Sequence, residues 1–251
     1  EHRICCHVKH AKYIASILMF VKTMMHSESL VPGRVPTTVV LGTHNGYNMT
    51  IRMESLVMSA SALIYSYNLT QHEYKPTHPF KPVRARMMYE LLNRYGIISE
   101  ENQRVVEPRI MDEELLYLFH TREYIELLKR GEKGEFSVEM LHAGLGTEDN
   151  PIFKEMYQYA LAASSGTYEG AMMLHREDAR FVFNPFGGFH HAGKDGAEGF
   201  CYINDIAVAV ADLVRKGWKV AYVDIDAHHG NGVQDAFYET DRVLSISLHE
   251  S

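Results

Sequence analysis

Residues 219–226 read Lys-Val-Ala-Tyr-Val-Asp-Ile-Asp, and the middle of this run, Val220-Ala221-Tyr222-Val223, lacks polar alternation. A strand with one wet face alternates apolar and polar side chains, so an unalternated strand is covered on both sides, as in parallel sheets flanked by helices. Its neighbours agree. Residues 204–214 form a helical pattern that is apolar almost all round (Ile206, Ala207, Val208, Ala209, Val210, Ala211, Leu213, Val214), with Asn204 as a good N-cap. Residues 181–183 and 242–248 read as further strands. Strand, helix, strand, helix, strand with short connections specifies an α/β chain built on a parallel sheet with right-handed crossovers.

The preceding part fits the same class. Residues 63–65 read as a first strand. Residues 82–95 carry Met87, Met88, Leu91 and Leu92 at helical spacing, with Gly96 as a stop. Residues 112–119 and 123–128 read as short helices. Asn150-Pro151 is expected to open a long helix reaching about Leu174, whose small residues (Ala160, Ala162, Ala163, Ser164, Ser165, Gly166) admit close approach by another element. Residues 1–57 differ: adjacent Cys5 and Cys6, a methionine-rich patch, and breaks at Pro32-Gly33 and Pro36. Cys5, Cys6, His7 and His10 are a poor metal site, since adjacent cysteines chelate one ion badly and no second pair follows. The expected organisation is an extension over 1–57, non-native in character, and a domain over 58–251 that starts at Met58.

Composition narrows the function classes. Lys plus Arg is 25 against 32 for Asp plus Glu, a net charge of −7, which disfavours direct binding to a nucleic-acid backbone. The apolar run 13–21 lies between Lys12 and Lys22 and falls short of the ~20 residues of a membrane span. Three cysteines build no disulfide framework, which points to a reducing compartment: cytoplasmic, or nuclear in a eukaryote. The 15 histidines are the unusual count, and four of them fall in two short loops.

The first loop is Asp224-Ile225-Asp226-Ala227-His228-His229-Gly230, at the carboxyl end of the unalternated strand. In extended chain residues two apart share a face, so Asp224, Asp226 and, if extension continues, His228 project together. Carboxylates and an imidazole crowded at an apolar strand end call for a neutralising divalent cation. The bland alternative is a hydrogen-bonded turn with solvated acids; His228, His229 and the glycine-flanked Asn231 weigh against it. The second loop, Gly187-Gly188-Phe189-His190-His191-Ala192-Gly193, follows another strand. Tandem histidines there suit metal ligation or proton transfer near neutral pH.

These motifs resemble the histone deacetylase family. The resemblance rests on Gly187-Gly188-Phe189-His190-His191-Ala192, on Gly199-Phe200-Cys201-Tyr202-Ile203-Asn204-Asp205, and on the run from Tyr222 through Asp224, Asp226, His228 and Asn231 to Gln234. His78-Pro79-Phe80-Lys81-Pro82 with Arg84 and Arg86-Met87, and Phe119-His120-Thr121-Arg122-Glu123-Tyr124, belong to it too. It covers about residues 62–251 in consistent order. It implies a three-layer α/β/α arginase/deacetylase fold and a zinc-dependent removal of acetyl groups from lysine side chains. By the same resemblance Asp226 and His228 are metal ligands, with Fe²⁺ an alternative to Zn²⁺. His191 is the general base and then acid, and His190 a second imidazole held by Asp224. Asp149 is a rim residue for substrate backbone, Gly199 and Phe200 one wall of the lysine tube, and Arg84 a residue of an interior exit channel. A K⁺ site uses Asp224, main-chain oxygens of Asp226 and His228, and Ser247 and Leu248. The substrates implied are acetylated lysine peptides or small acetylated amines such as acetylpolyamines.

Two departures qualify the resemblance. Asn231 stands where many members have Asp and others carry Asn; an amide still orients His191 but does not raise its pKa as a carboxylate would. The family's third metal-ligating aspartate and its carbonyl-polarising tyrosine have no counterpart in this sequence. The C-terminal part of the fold is therefore expected to be missing, the 251-residue chain inactive and aggregation-prone alone, and a non-catalytic role open to it. An arginase-like reading with two manganese ions fails at Gly230, where a second bridging aspartate is required.

Overall fold

The computed structural model describes residues 61–72, 74, 77–98 and 103–250, and the backbone of two earlier strands, β1 (Pro36–Gly42) and β2 (Asn48–Glu54). These pair antiparallel, Pro36 opposite Glu54 and Gly42 opposite Asn48, so the expected extension contains regular structure. Cys5, Cys6, His7, His10 and Met58 lie outside the described residues.

The parallel arrangement is present as two ladders. β3 (Ser61–Ile64) lies between β4 (Gln103–Val106) and β5 (Phe181–Phe183), and β6 (Val220–Asp224) pairs with β7 (Val243–Ser247), all parallel. Between them run α1 (Val83–Arg94), α2 (Arg122–Glu132), α3 (Val138–His142), α4 (Met156–His175), α5 (Asp205–Arg215) and α6 (Asn231–Ala236). α4 packs on β3 and β5, α5 packs on β6, and the two helices pack on each other. β6 is covered on one face only, where Val220 and Tyr222 meet α5. Val223 on the other face is 42% exposed, so the strand is not covered on both sides as expected. The small residues of α4 make this approach: a Cβ on Gly166 would stand 3.2 Å from Ile64 Cγ2, and one on Gly170 3.0 Å from Val182 Cγ1. As its all-round apolar sequence requires, α5 is buried from Asp205 through Val210. Each fully buried Ile, Val or Leu there contributes about 1.5–3 kcal/mol.

Several expected bounds move, each for a local reason. The long helix begins at Met156, because Asn150 uses its amide elsewhere: Nδ2 donates to the Cys201 carbonyl (3.2 Å) and Oδ1 accepts from the Phe200 N–H (3.3 Å). Residues 112–119 form a 3-10 turn, Glu113–Leu118, capped by Asp112. The Glu113 carboxylate clamps that turn to α2 and α4. Burial would raise its pKa, but Lys129 (2.5 Å) and the hydroxyls of Tyr157 (2.5 Å) and Tyr117 (2.8 Å) hold it at about 2. β4, α3 and α6 are additions: Gln103-Arg104-Val105-Val106 offers two apolar residues, and helices of five or six residues show no periodicity. Among the described residues no helix is long and apolar enough to cross a membrane.

Candidate active site

The first acidic–histidine loop is not an extended strand. β6 ends at Asp224, and two side-chain turns follow. Asp224 Oδ1 accepts from the Asp226 N–H (2.9 Å), and Asp226 Oδ1 accepts from the His228 N–H (2.8 Å). Aspartates favour this bond to the backbone two residues on. The turns separate the residues that extension would have kept on one face. Asp224, 3% exposed, turns inward to His190 Nδ1 (2.5 Å) and the Tyr222 hydroxyl. Burial alone would raise its pKa; the His190 imidazole, with the Tyr222 hydroxyl and the Asp226 N–H, holds it below the usual carboxylate value. Asp226 turns outward with His228, whose Nδ1 lies 3.1 Å from Asp226 Oδ1 on an exposed ring.

The tandem-histidine loop is held from beneath by a residue the sequence showed only as a helix start. Asp205, 1% exposed, accepts from the N–H groups of Gly188 (3.0 Å) and Phe189 (2.8 Å) and from the Thr167 hydroxyl. Burial raises its pKa despite these bonds. Asn204 adds to the support: Oδ1 caps α5 at Ala207 (2.9 Å), and Nδ2 donates to the carbonyls of Ala192 (3.0 Å) and His190 (3.4 Å). Asn204 is fixed in turn by buried His120, whose Nε2 accepts the Asn204 N–H (3.0 Å) while Nδ1 faces the Lys194 carbonyl (3.3 Å).

Burial pushes the His120 pKa down to about 4. The unfolded chain binds a proton near pH 6.5 and the folded protein resists it, so stability is complete above pH 6.5 and is lost as pH falls towards 4. The full loss is about 3 kcal/mol. Urea unfolding at pH 7 and pH 5 checks this. The variant His120→Gln should show a shallower pH dependence than wild type, and an identical dependence would contradict it.

The two loops meet at His191. Its ring centroid lies 4.0 Å from that of His190 and 5.9 Å from that of His228. Its Nδ1 is 2.7 Å from Asn231 Oδ1, and Asn231 Nδ2 donates to Glu198 Oε2 (3.0 Å). Desolvation lowers its pKa below the ordinary histidine value, the Asn231 hydrogen bond opposing and the nearby His190 and His228 adding to it. Gly199, at φ +52°, lies flat against this ring: a Cβ there would stand 2.5 Å from His191 Cδ2.

Around the cluster, Phe200 is braced by His78, whose ring is 4.7 Å from it edge-on and whose Nε2 faces the Asp149 carbonyl (3.1 Å). His78 thereby links exposed Asp149 to the Gly199–Phe200 segment. Asp224 and Ser247 are ladder partners, and the Leu248 N–H donates to the Asp224 carbonyl (2.8 Å). Arg84, expected at an interior channel, is exposed in the first turn of α1, because Ala85 takes the inward position. His78, His120, Asp205 and Glu198 are the positions whose part sequence reading missed. The first three stand in the quoted motifs, which was the available signal. Among the described residues no group of three His, Cys, Asp or Glu is placed to hold a metal ion; Asp226 and His228 form a pair.

The profile of the histone deacetylase domain matches residues 78–251. Histone deacetylase RPD3 of Saccharomyces cerevisiae is 38% identical over 192 residues, 75% of this chain and 44% of the yeast protein. Histone deacetylase 1 of Homo sapiens is 35% identical over 189 residues, 74% of this chain and 39% of the human protein. The crystal structure of an HDAC homolog from Aquifex aeolicus superimposes with a TM-score of 0.67 at 33% identity, covering 77% of this chain and 51% of that one. The chain thus spans about two-fifths of the length of these curated relatives, in the α/β arginase/deacetylase fold. It belongs to the histone deacetylase family.

Proposed function

We propose that this chain carries the proton-transfer part, and two of the three metal ligands, of a hydrolase that removes acetyl groups from lysine side chains of histones or other proteins. The observation that carries the reading is the place of His191. One ring nitrogen is engaged by Asn231, the other is left for proton transfer, and the ring stands between buried His190 and exposed His228.

Asp226 and His228 fit a divalent ion by their chemistry: one carboxylate oxygen and one imidazole nitrogen 3.1 Å apart, suited to zinc and tolerant of ferrous iron. Two donors are fewer than a catalytic zinc takes, so the described residues alone hold an ion weakly, and this chain by itself is expected to be inactive. A bound ion there supplies Lewis-acid polarisation of the acyl carbonyl and lowers the pKa of water. His191 Nε2 accepts the proton of the attacking water and delivers it to the leaving lysine amine. Acetate and free amine are the products. His190, its Nδ1–H donated to Asp224, supports charge developing beside it. Gly199 and Phe200 flank the lysine stem, and Asp149 accepts from the substrate backbone. A K⁺ ion held by Asp224, main-chain oxygens of Asp226 and His228, Ser247 and Leu248 would stiffen the same strand ends. Acetylated lysine peptide is the expected substrate, with small acetylated amines the comparison.

The test is acetate release by the full-length protein from an acetyl-lysine peptide and from an acetylpolyamine. Turnover abolished by a chelator and restored by zinc supports the reading. No turnover by metal-loaded protein, or turnover indifferent to metal removal, overturns it.

A further inference from the structure

Asn231 faces two partners at once, and one of them fixes how it faces the other. An amide has an oxygen end that only accepts and a nitrogen end that only donates, and the two are told apart by their partners. The Glu198 carboxylate accepts only, so Nδ2 must face it, and it does so at 3.0 Å. Oδ1 is thereby turned to His191 Nδ1 (2.7 Å), a contact that works only when Nδ1 carries the hydrogen. The lone pair is then on Nε2, the nitrogen that a base needs free. Glu198 is itself well seated: its N–H donates to the Cys201 carbonyl (3.1 Å), and its carbonyl accepts from the Cys201 N–H (2.8 Å). The next residue, Gly199, is the surface on which the His191 ring rests.

We infer that Glu198 is a positioning residue, matched to Asn231, that fixes the amide orientation and through it the Nδ1–H tautomer of His191. The inference deepens the proposed function, since it rests on reading His191 as the proton-transfer group. It also explains how an amide serves at position 231. An aspartate there would orient His191 unaided, but it would face the Glu198 carboxylate at hydrogen-bond distance, where two like charges repel. Glu198 with Asn231 is one consistent pair, and a neutral residue at 198 with aspartate at 231 is the other.

The experiment uses full-length protein labelled with ¹⁵N-histidine, with the tautomer read from ring-nitrogen shifts at a pH where imidazoles are neutral. Wild type should show His191 with a protonated Nδ1 and a bare Nε2. In Glu198→Ala the amide is released, and roughly half of the His191 population should move to the Nε2–H form. kcat on an acetyl-lysine peptide should fall about fivefold with KM unchanged, as one lost hydrogen bond allows. Glu198→Gln, which keeps an accepting oxygen, should stay near wild type. The double variant Glu198→Ala/Asn231→Asp should regain the Nδ1–H form and most of the lost kcat, a rescue that a merely structural role of Glu198 would not give. An unaltered His191 tautomer in Glu198→Ala, or failure of the double variant to regain it, overturns the inference. Wild-type protein with this tautomer pattern but no hydrolysis would sink the proposed activity and leave the pairing standing.

Discussion

Replacing His191 with alanine in the full-length protein is expected to lower kcat by about 10²–10⁴-fold, the range for removing a positioned general acid–base. KM and the unfolding midpoint should barely move. The ring is half-buried, and its polar partner Asn231 keeps the exposed Glu198, so no charge is stranded in the interior. The loss falls on kcat because His191 acts on the proton in flight rather than on the bound acyl chain. Desolvation, with His190 and His228 close by, holds its pKa below the ordinary histidine value. The acid limb of wild-type kcat/KM should therefore lie below pH 6.5, where protonation removes the base, and should vanish from the residual activity of the variant. Steady-state kinetics from pH 5 to 8 measure both. A variant with more than a tenth of wild-type kcat would contradict the role given to His191.

Asp205→Ala should produce the largest loss of stability, about 3–5 kcal/mol. Three donors converge on this one buried carboxylate: the N–H groups of Gly188 and Phe189 and the Thr167 hydroxyl. Alanine strands all three in a dry interior, and an unmet buried donor costs about 1–3 kcal/mol. Against a typical total stability of 5–15 kcal/mol, that leaves a marginal protein. The effect reaches the site as well, because Gly188 and Phe189 immediately precede His190. Asp205→Asn should cost less, since one amide oxygen still accepts, but its NH₂ then faces a donor. Denaturant unfolding of both variants checks the order. A midpoint shift for Asp205→Ala worth less than about 1 kcal/mol would show that the loop is held elsewhere.

How much of this was legible follows from what each signal encodes. Burial was legible in part: the apolar circumference of α5 marked a buried helix. Val220-Ala221-Tyr222-Val223, read as covered on both faces, is buried only on the side of Val220 and Tyr222, and Val223 is 42% exposed. The site loops were legible as motifs, because histidines and aspartates on glycine-rich turns at strand ends have little other use. What stayed hidden was the choice of partner among neighbours of like chemistry. Spacing alone made Asp224 and Asp226 equivalent, and only the family resemblance told them apart; one turns to His190 and the other to His228 because the strand stops and side-chain turns take over. Asn150 looked like a helix opener and instead ties down Phe200 and Cys201, a contact 50 residues away that no local pattern carries. Glu198 drew no reading from the sequence; only the fold sets it beside Asn231.

The most direct measurement of the central claim is acetate release from an acetyl-lysine peptide by metal-loaded full-length protein in oxygen-18 water. The account predicts acetate carrying one solvent oxygen, formed in equal amount with free lysine side chain and absent after metal removal. Acetate without solvent oxygen, transfer of the acetyl group to another acceptor, or no cleavage at all would contradict it.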